Sequence, residues 1–131
     1  MAPHLTPRRT LTVYRGFPGT GIYVWSPFVT KLEARLRFAK VPYRTEIGSR
    51  ARAPRGKLPY LSIQEEDSEA LNLSDTTLIA RKLVEDGLIE DLNAKLSPAD
   101  KAHDLAIRAL LEDKLYFYQV SVFVPVYFGM T

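Results

Sequence analysis

The stretch Gly56-Lys57-Leu58-Pro59-Tyr60-Leu61-Ser62-Ile63 sets a proline at the mouth of an apolar, alternating run. Proline has no N–H for a sheet ladder, so it belongs at the first residue of a strand, on an edge or at a bulge. A strand is therefore expected over Leu58 to Ile63, with Pro59 at its entrance. The bond before Pro59 can be trans, opening an ordinary strand, or cis, an option largely confined to proline. In the cis form the N–H and C=O of Leu58 are free to face a docked peptide instead of a neighbouring strand.

Working outward, Leu11-Thr12-Val13-Tyr14 alternates and is β-branched, which predicts a first strand ending near Arg15-Gly16. The pattern Gly16-x-x-Gly19-x-Gly21 follows, but without the Gly-Lys-Ser/Thr of a phosphate loop it reads as a flexible connector. Ser26-Pro27 is a strong helix start, a hydroxyl N-cap with proline at the first helical position. Phe28, Leu32, Leu36 and Ala39 recur at helical spacing, with Lys31, Glu33, Arg35 and Arg37 turned away, until Val41-Pro42 stops the helix. Tyr43 to Ile47 is the second strand, completing a strand-helix-strand crossover with parallel strands. An arginine-rich loop, Gly48 to Lys57, leads to the third strand, and Glu69 to Leu73 pairs with it as a hairpin.

Ser74 or Asp75 then caps a helix in which Leu78, Ile79, Leu83 and Val84 face inward, ending by Gly87. Ser97-Pro98-Ala99-Asp100 resembles a capping box and opens a long helix reaching Tyr118. Beyond it, Val120, Val122, Phe123, Val124 and Val126 read as strand-like. This order describes an α/β chain built on a mixed four-stranded sheet with helices on its faces.

A length of 131 residues with 46% hydrophobic content suits one compact domain rather than two full ones. The absence of cysteine excludes disulfides, dithiol redox chemistry and a cysteine nucleophile. His4, read into a frayed terminus, and His103, on an exposed helix face, lie far apart, so no metal site is expected. Residues 1 to 57 carry 12 Lys and Arg against 2 Asp and Glu, and residues 58 to 131 carry 6 against 13. The resulting halves, +10 and −7, sum to the net +3 and read as faces of one molecule that pair with each other. No recognition motif accompanies the basic half, so nucleic acid is not an expected partner. The start has no apolar signal region. The apolar tail from Leu115 to Met130, interrupted by Pro125, falls short of the roughly 20 residues that span a bilayer. A soluble, cytoplasmic protein is the expectation.

Three motifs in this order resemble the thioredoxin-like N-terminal domain of glutathione transferases. They are Trp25-Ser26-Pro27-Phe28-Val29-x-Lys31-Leu32, Gly56-Lys57-Leu58-Pro59-Tyr60 and Asp75-Thr76-Thr77-Leu78-Ile79. The resemblance is nearest to the failed-axon-connections and metaxin branch. It implies a β-α-β-β-β-α thioredoxin-like domain over residues 11–90. Residues 97–131 are then the first helix of the family's all-helical C-terminal domain plus an apolar tail, as in a truncated product. It also implies a glutathione site. Pro59 stands for the family's cis-proline, the Leu58 backbone pairs with the cysteinyl unit, and Asp75 and Thr76 hold the γ-glutamyl end. Lys57 reaches the glycine carboxylate, and Ser26 addresses the sulfur, with Tyr14 as the rival donor.

Each of these residues also has an ordinary structural reading. Ser26 and Asp75 are what good helix caps look like, Tyr14 suits half-buried strand packing, and Lys57 suits a solvated loop. Two functions stay open. One is a transferase in which glutathione, as co-substrate, has its thiol activated by Ser26 for attack on an electrophile. The other is a non-catalytic interaction or import module, for which the resemblance allows the mitochondrial outer-membrane surface. In either case a homodimer or a protein partner is the expected cover for the apolar tail.

Overall fold

The computed structural model of the chain describes residues 8–18 and 22–128, excluding the side chains of 123–128. His4, Gly19 and Gly21 lie outside the described residues. The chain divides into two compact units, Met1–Glu90 and Asp91–Thr131.

In the first unit β1 (Thr10–Tyr14), β2 (Arg44–Glu46), β3 (Tyr60–Gln64) and β4 (Leu71–Ser74) form one sheet in the order β2-β1-β3-β4. β1 runs parallel to β2 and antiparallel to β3, and β3 runs antiparallel to β4. This is the mixed four-stranded sheet expected from the order of elements, in the thioredoxin-like arrangement that the resemblance implies. Strand alternation turns Leu11, Val13, Leu61 and Ile63 to one face. There they join Leu32 and Leu36 of α1 (Pro27–Phe38) and Ile79 and Leu83 of α2 (Thr76–Glu85) in a single buried cluster. Fully burying one such side chain contributes about 1.5–3 kcal/mol, so this face holds the unit together.

The boundaries shift by a residue or two from the pattern reading, and several side chains face differently. The inward stripe of α1 is Val29, Leu32, Glu33 and Leu36, while Phe28 is only half-buried. Glu33 and Lys31, expected to face solvent, are buried and half-buried, because each has a polar partner inside. Leu78 on α2 is exposed, whereas Ile79 and Leu83 are buried.

The second unit holds α3 (Pro98–Ala109), capped as its sequence implies. Ser97 Oγ accepts from the Asp100 amide at 3.1 Å and donates to the Asp100 carboxylate at 2.8 Å. A π-helical turn at Leu110–Leu115 follows, and α4 (Tyr116–Phe128) continues the helical path. The strand-like reading of the tail is thus corrected: the described part is helix. A strand needs a partner for its N–H and C=O groups, whereas a helix satisfies its own, and extending an existing helix avoids the cost of a new nucleus. Among the described residues no helix is long and apolar enough to cross a membrane, and no cluster of three or more His, Cys, Asp or Glu could hold a metal.

Candidate functional site

The strand register aligns Tyr14 with Tyr60 and Tyr60 with Ser74. One end of the sheet therefore collects the exit of β1, the entrance of β3 and the exit of β4. The 3-10 turn Pro54–Gly56 is fastened to the same place, because Ser74 Oγ donates to the Pro54 carbonyl and lies 3.4 Å from the Lys57 carbonyl. The Leu58–Pro59 bond is cis. Leu58 stands two residues ahead of Tyr60, the first residue in register, so its backbone groups take no part in the ladder. A Cβ added at Gly16 would meet Leu58 Cδ1 at 2.7 Å, which shows how closely the exit of β1 approaches Leu58.

Asp75 follows directly from β4 and caps α2. Its Oδ1 accepts from the Thr77 amide at 2.9 Å and the Leu78 amide at 3.3 Å. Its backbone has φ 74°, a region that aspartate and asparagine enter more readily than other side chains. Of the two candidate caps, Ser74 or Asp75, the structure selects Asp75, since the Ser74 hydroxyl is committed to the loop carbonyls. Asp75→Ala loses the cap and keeps the unfavourable φ, for an expected loss of about 2 kcal/mol. Asp75→Asn should keep most of the stability and Asp75→Gly should fall between. Urea midpoints of the three variants check this order, and an alanine variant as stable as the asparagine one would overturn it.

Thr76, the first residue of α2, is buried at 7% exposure, and its Oγ1 accepts from Lys31 Nζ at 3.2 Å. That bond sets the second turn of α1 against the start of α2. Ser26, at the head of α1, caps that helix, with Oγ accepting from the Val29 amide at 3.4 Å. Its hydroxyl proton remains to be donated elsewhere.

Arg15 reaches back to the segment ahead of Ser26. Its guanidinium is 3% exposed, donates through Nη2 to the Ile22 carbonyl, and pairs through Nε with Glu33 Oε2 at 3.2 Å. The other Glu33 oxygen accepts from the Tyr43 hydroxyl at 3.0 Å, and Arg37 Nε donates to that same hydroxyl at 2.9 Å. Burial raises the Tyr43 phenol above its ordinary pKa, with the Arg37 bond opposing and Glu33 assisting.

Of the candidate residues, Lys57, Leu58, Pro59, Asp75 and Thr76 share one end of the sheet, and Ser26 heads the helix that bonds to Thr76 through Lys31. Lys57 is exposed. Tyr14 belongs to the same row, but its ring lies flat on Tyr60, with centroids 4.3 Å apart and planes 9° from parallel. Burial raises the Tyr60 phenol pKa, the Tyr14 phenol adds to the rise and Arg52 opposes it.

The pattern reading passed over Lys31, Arg15 and Glu33. A signal existed for the last two: Arg15 continues the period-two series Leu11, Val13, and Glu33 lies four residues after Val29 and three before Leu36. Two opposite charges on two inward faces mark an internal ion pair.

A family model described as the glutathione S-transferase N-terminal domain matches residues 27–124. Among curated proteins, the isoprene-epoxide–glutathione S-transferase of Rhodococcus sp. (strain AD45) is 32% identical over 111 residues, a stretch covering 82% of this chain and 44% of that protein. The chain spans less than half the length of this curated relative.

Proposed function

The chain belongs to the glutathione S-transferase N-terminal domain family, and from that membership we propose that its first unit binds glutathione where β1, β3, β4 and the starts of α1 and α2 meet. The observation that carries this reading is the joining of Lys57, cis-Pro59, Asp75 and Thr76 at one sheet end, with α1 bonded to it through Lys31. The ligand has two carboxylates and a thiol, and helix N-termini with hydroxyl donors suit anions. In this reading the unladdered Leu58 backbone pairs with the cysteinyl unit, Asp75 and Thr76 take the γ-glutamyl end, and Lys57 takes the glycine carboxylate.

Ser26 is the proposed thiol activator. Its oxygen accepts from Val29, so its proton is free to be donated to sulfur, and a hydrogen bond to the charged form lowers a pKa. The thiolate then attacks an electrophilic carbon; for an epoxide, the class named for the Rhodococcus relative, an S–C bond forms and a C–O bond breaks. The thiol proton goes to water, and the alkoxide takes one from water. Tyr14 is the weaker candidate because its ring is held against Tyr60.

Titration of the 131-residue chain with glutathione tests the reading: saturable binding is expected, and its absence would end it. Ser26→Ala should lower kcat/KM for conjugation by about tenfold or more, equivalent to one pKa unit of lost thiol activation, while Ser26→Thr keeps most of it. Equal rates in the alanine variant would remove Ser26 from the chemistry.

A second reading is favoured by the exposed Leu105, Ile107, Leu110, Leu111, Leu115 and Phe117 of the second unit. Here the same fold acts as an interaction module, as in the failed-axon-connections and metaxin resemblance. Partner capture that survives Ser26→Ala and Asp75→Ala together distinguishes it.

A further inference from the structure

We propose that Arg15 is a positioning residue for the thiol step: by gripping the chain on both sides of Ser26, it sets where the Ser26 hydroxyl stands relative to the Leu58 backbone. This rests on the reading of Ser26 as thiol activator, and adds to it a residue that acts through another.

In that reading one residue of the ligand, the cysteine of glutathione, has to meet two separate parts of the chain. Its backbone pairs with Leu58 and its sulfur meets Ser26, so the sulfur contact depends on how those two segments are spaced. A misplacement of about 1 Å can cost about a hundredfold in rate. Arg15 is anchored on the Leu58 side. Its amide donates to the Glu46 carbonyl at 2.9 Å, extending the β1–β2 pairing, and the next residue, Gly16, lies close against Leu58. From there the guanidinium reaches in two directions. Nη2 donates to the carbonyl of Ile22, four positions before Ser26, and Nε pairs at 3.2 Å with Glu33 Oε2, seven positions after it. Among the described residues no backbone–backbone hydrogen bond holds Ile22, Tyr23 or Val24, so the Arg15 side chain supplies a polar hold on the approach to Ser26. The cap bond of Ser26, at 3.4 Å to the Val29 amide, is long and ties the hydroxyl only to its own helix.

Stability alone does not require an ion pair at this place. An apolar pair of similar volume replaces a buried ion pair at little cost, but it cannot orient a carbonyl. A guanidinium carries its donors in a rigid planar fork, so holding a carbonyl and a carboxylate together sets an angle as well as a distance. The side chain is 3% exposed, and withdrawal from water strengthens both contacts. An ammonium in its place keeps the charge and loses the fork.

The test measures the pKa of the glutathione thiol bound to the 131-residue chain, from thiolate ultraviolet absorbance across pH, together with the affinity for S-methylglutathione. The methylated ligand keeps the peptide and lacks the thiol proton, so it reports binding without activation. Arg15→Lys should raise the pKa of the bound thiol by about one, as expected when a hydrogen bond to the thiolate is lost, with S-methylglutathione bound as before. In a Ser26→Ala background, where the hydroxyl is already gone, Arg15→Lys should raise it no further. The double variant Arg15→Met, Glu33→Leu refills the space, so it should regain stability while the bound thiol stays as weakly acidic as in Arg15→Lys.

A bound thiol as acidic in Arg15→Lys as in the wild type would overturn the proposal. So would an equal further rise on top of Ser26→Ala, because the arginine would then act independently of the hydroxyl. If Arg15→Lys does not fold, the apolar double variant decides by the same two comparisons. Ser26→Ala with a thiol as acidic as in the wild type, or a wild type that does not bind glutathione, would instead strike the functional reading and this inference with it.

Discussion

Replacing Glu33 with leucine is expected to destabilise the first unit by about 3–5 kcal/mol, because it removes the carboxylate that pairs with the buried Arg15 guanidinium. Both side chains are withdrawn from water, at 3% exposure for arginine and 10% for glutamate, so solvent cannot take over for the missing partner. The substitution also removes the acceptor of the Tyr43 hydroxyl. For a small domain this is a large share of the total stability. In urea the midpoint should fall by about 2 M, given the usual slopes for small proteins. The double variant Arg15→Met, Glu33→Leu should recover much of the loss, since an apolar pair of similar volume replaces a buried ion pair at little cost. A single-variant loss under about 1 kcal/mol, the range of exposed pairs, would show that the pair is not sealed from solvent. The consequence reaches the site: Arg15 also holds the Ile22 carbonyl on the approach to Ser26, so glutathione affinity in the double variant reports whether that clamp sets the position of α1.

Gly48→Ala should cost about 2–5 kcal/mol, from two additive sources. The residue has φ +66°, where an L side chain is disfavoured by about 1–2 kcal/mol. The new Cβ would also lie 2.8 Å from Tyr14 Cβ and 2.9 Å from its Cδ1, and such overpacking costs about 1–3 kcal/mol. Tyr14 has little room to retreat, because its ring rests on the buried Tyr60 ring. The loss should appear together with a change in the tyrosine near-ultraviolet circular dichroism signal. A variant with an unchanged signal and a loss below about 1 kcal/mol would mean that the stack yields freely.

These two residues mark how far pattern reading reaches. The elements of the sheet and both of its covering helices are legible from alternation, helical spacing, Ser26-Pro27 and the Ser74-Asp75 pair, because such signals arise within a few neighbouring residues. The tail after Tyr116 misleads for the same reason: its β-branched run signals a strand locally, but the chain there continues a helix already begun. Charge alone assigns Lys31 and Glu33 to solvent, whereas Thr76 and Arg15 supply them with partners from distant positions.

The amino-acid order by itself determined the strand and helix succession through α2, the absence of cysteine chemistry and the proline-headed third strand, each a property of short segments and their composition. Only the tertiary structure decided that Leu58–Pro59 is cis, that Gly48 must remain small beside Tyr14, that Arg15 and Glu33 neutralise each other inside, and that Lys31 meets Thr76. Those outcomes depend on which segments become neighbours once the sheet closes, and the energy of a buried charge or a filled gap is set by the neighbour across the space rather than by the residue alongside in the chain.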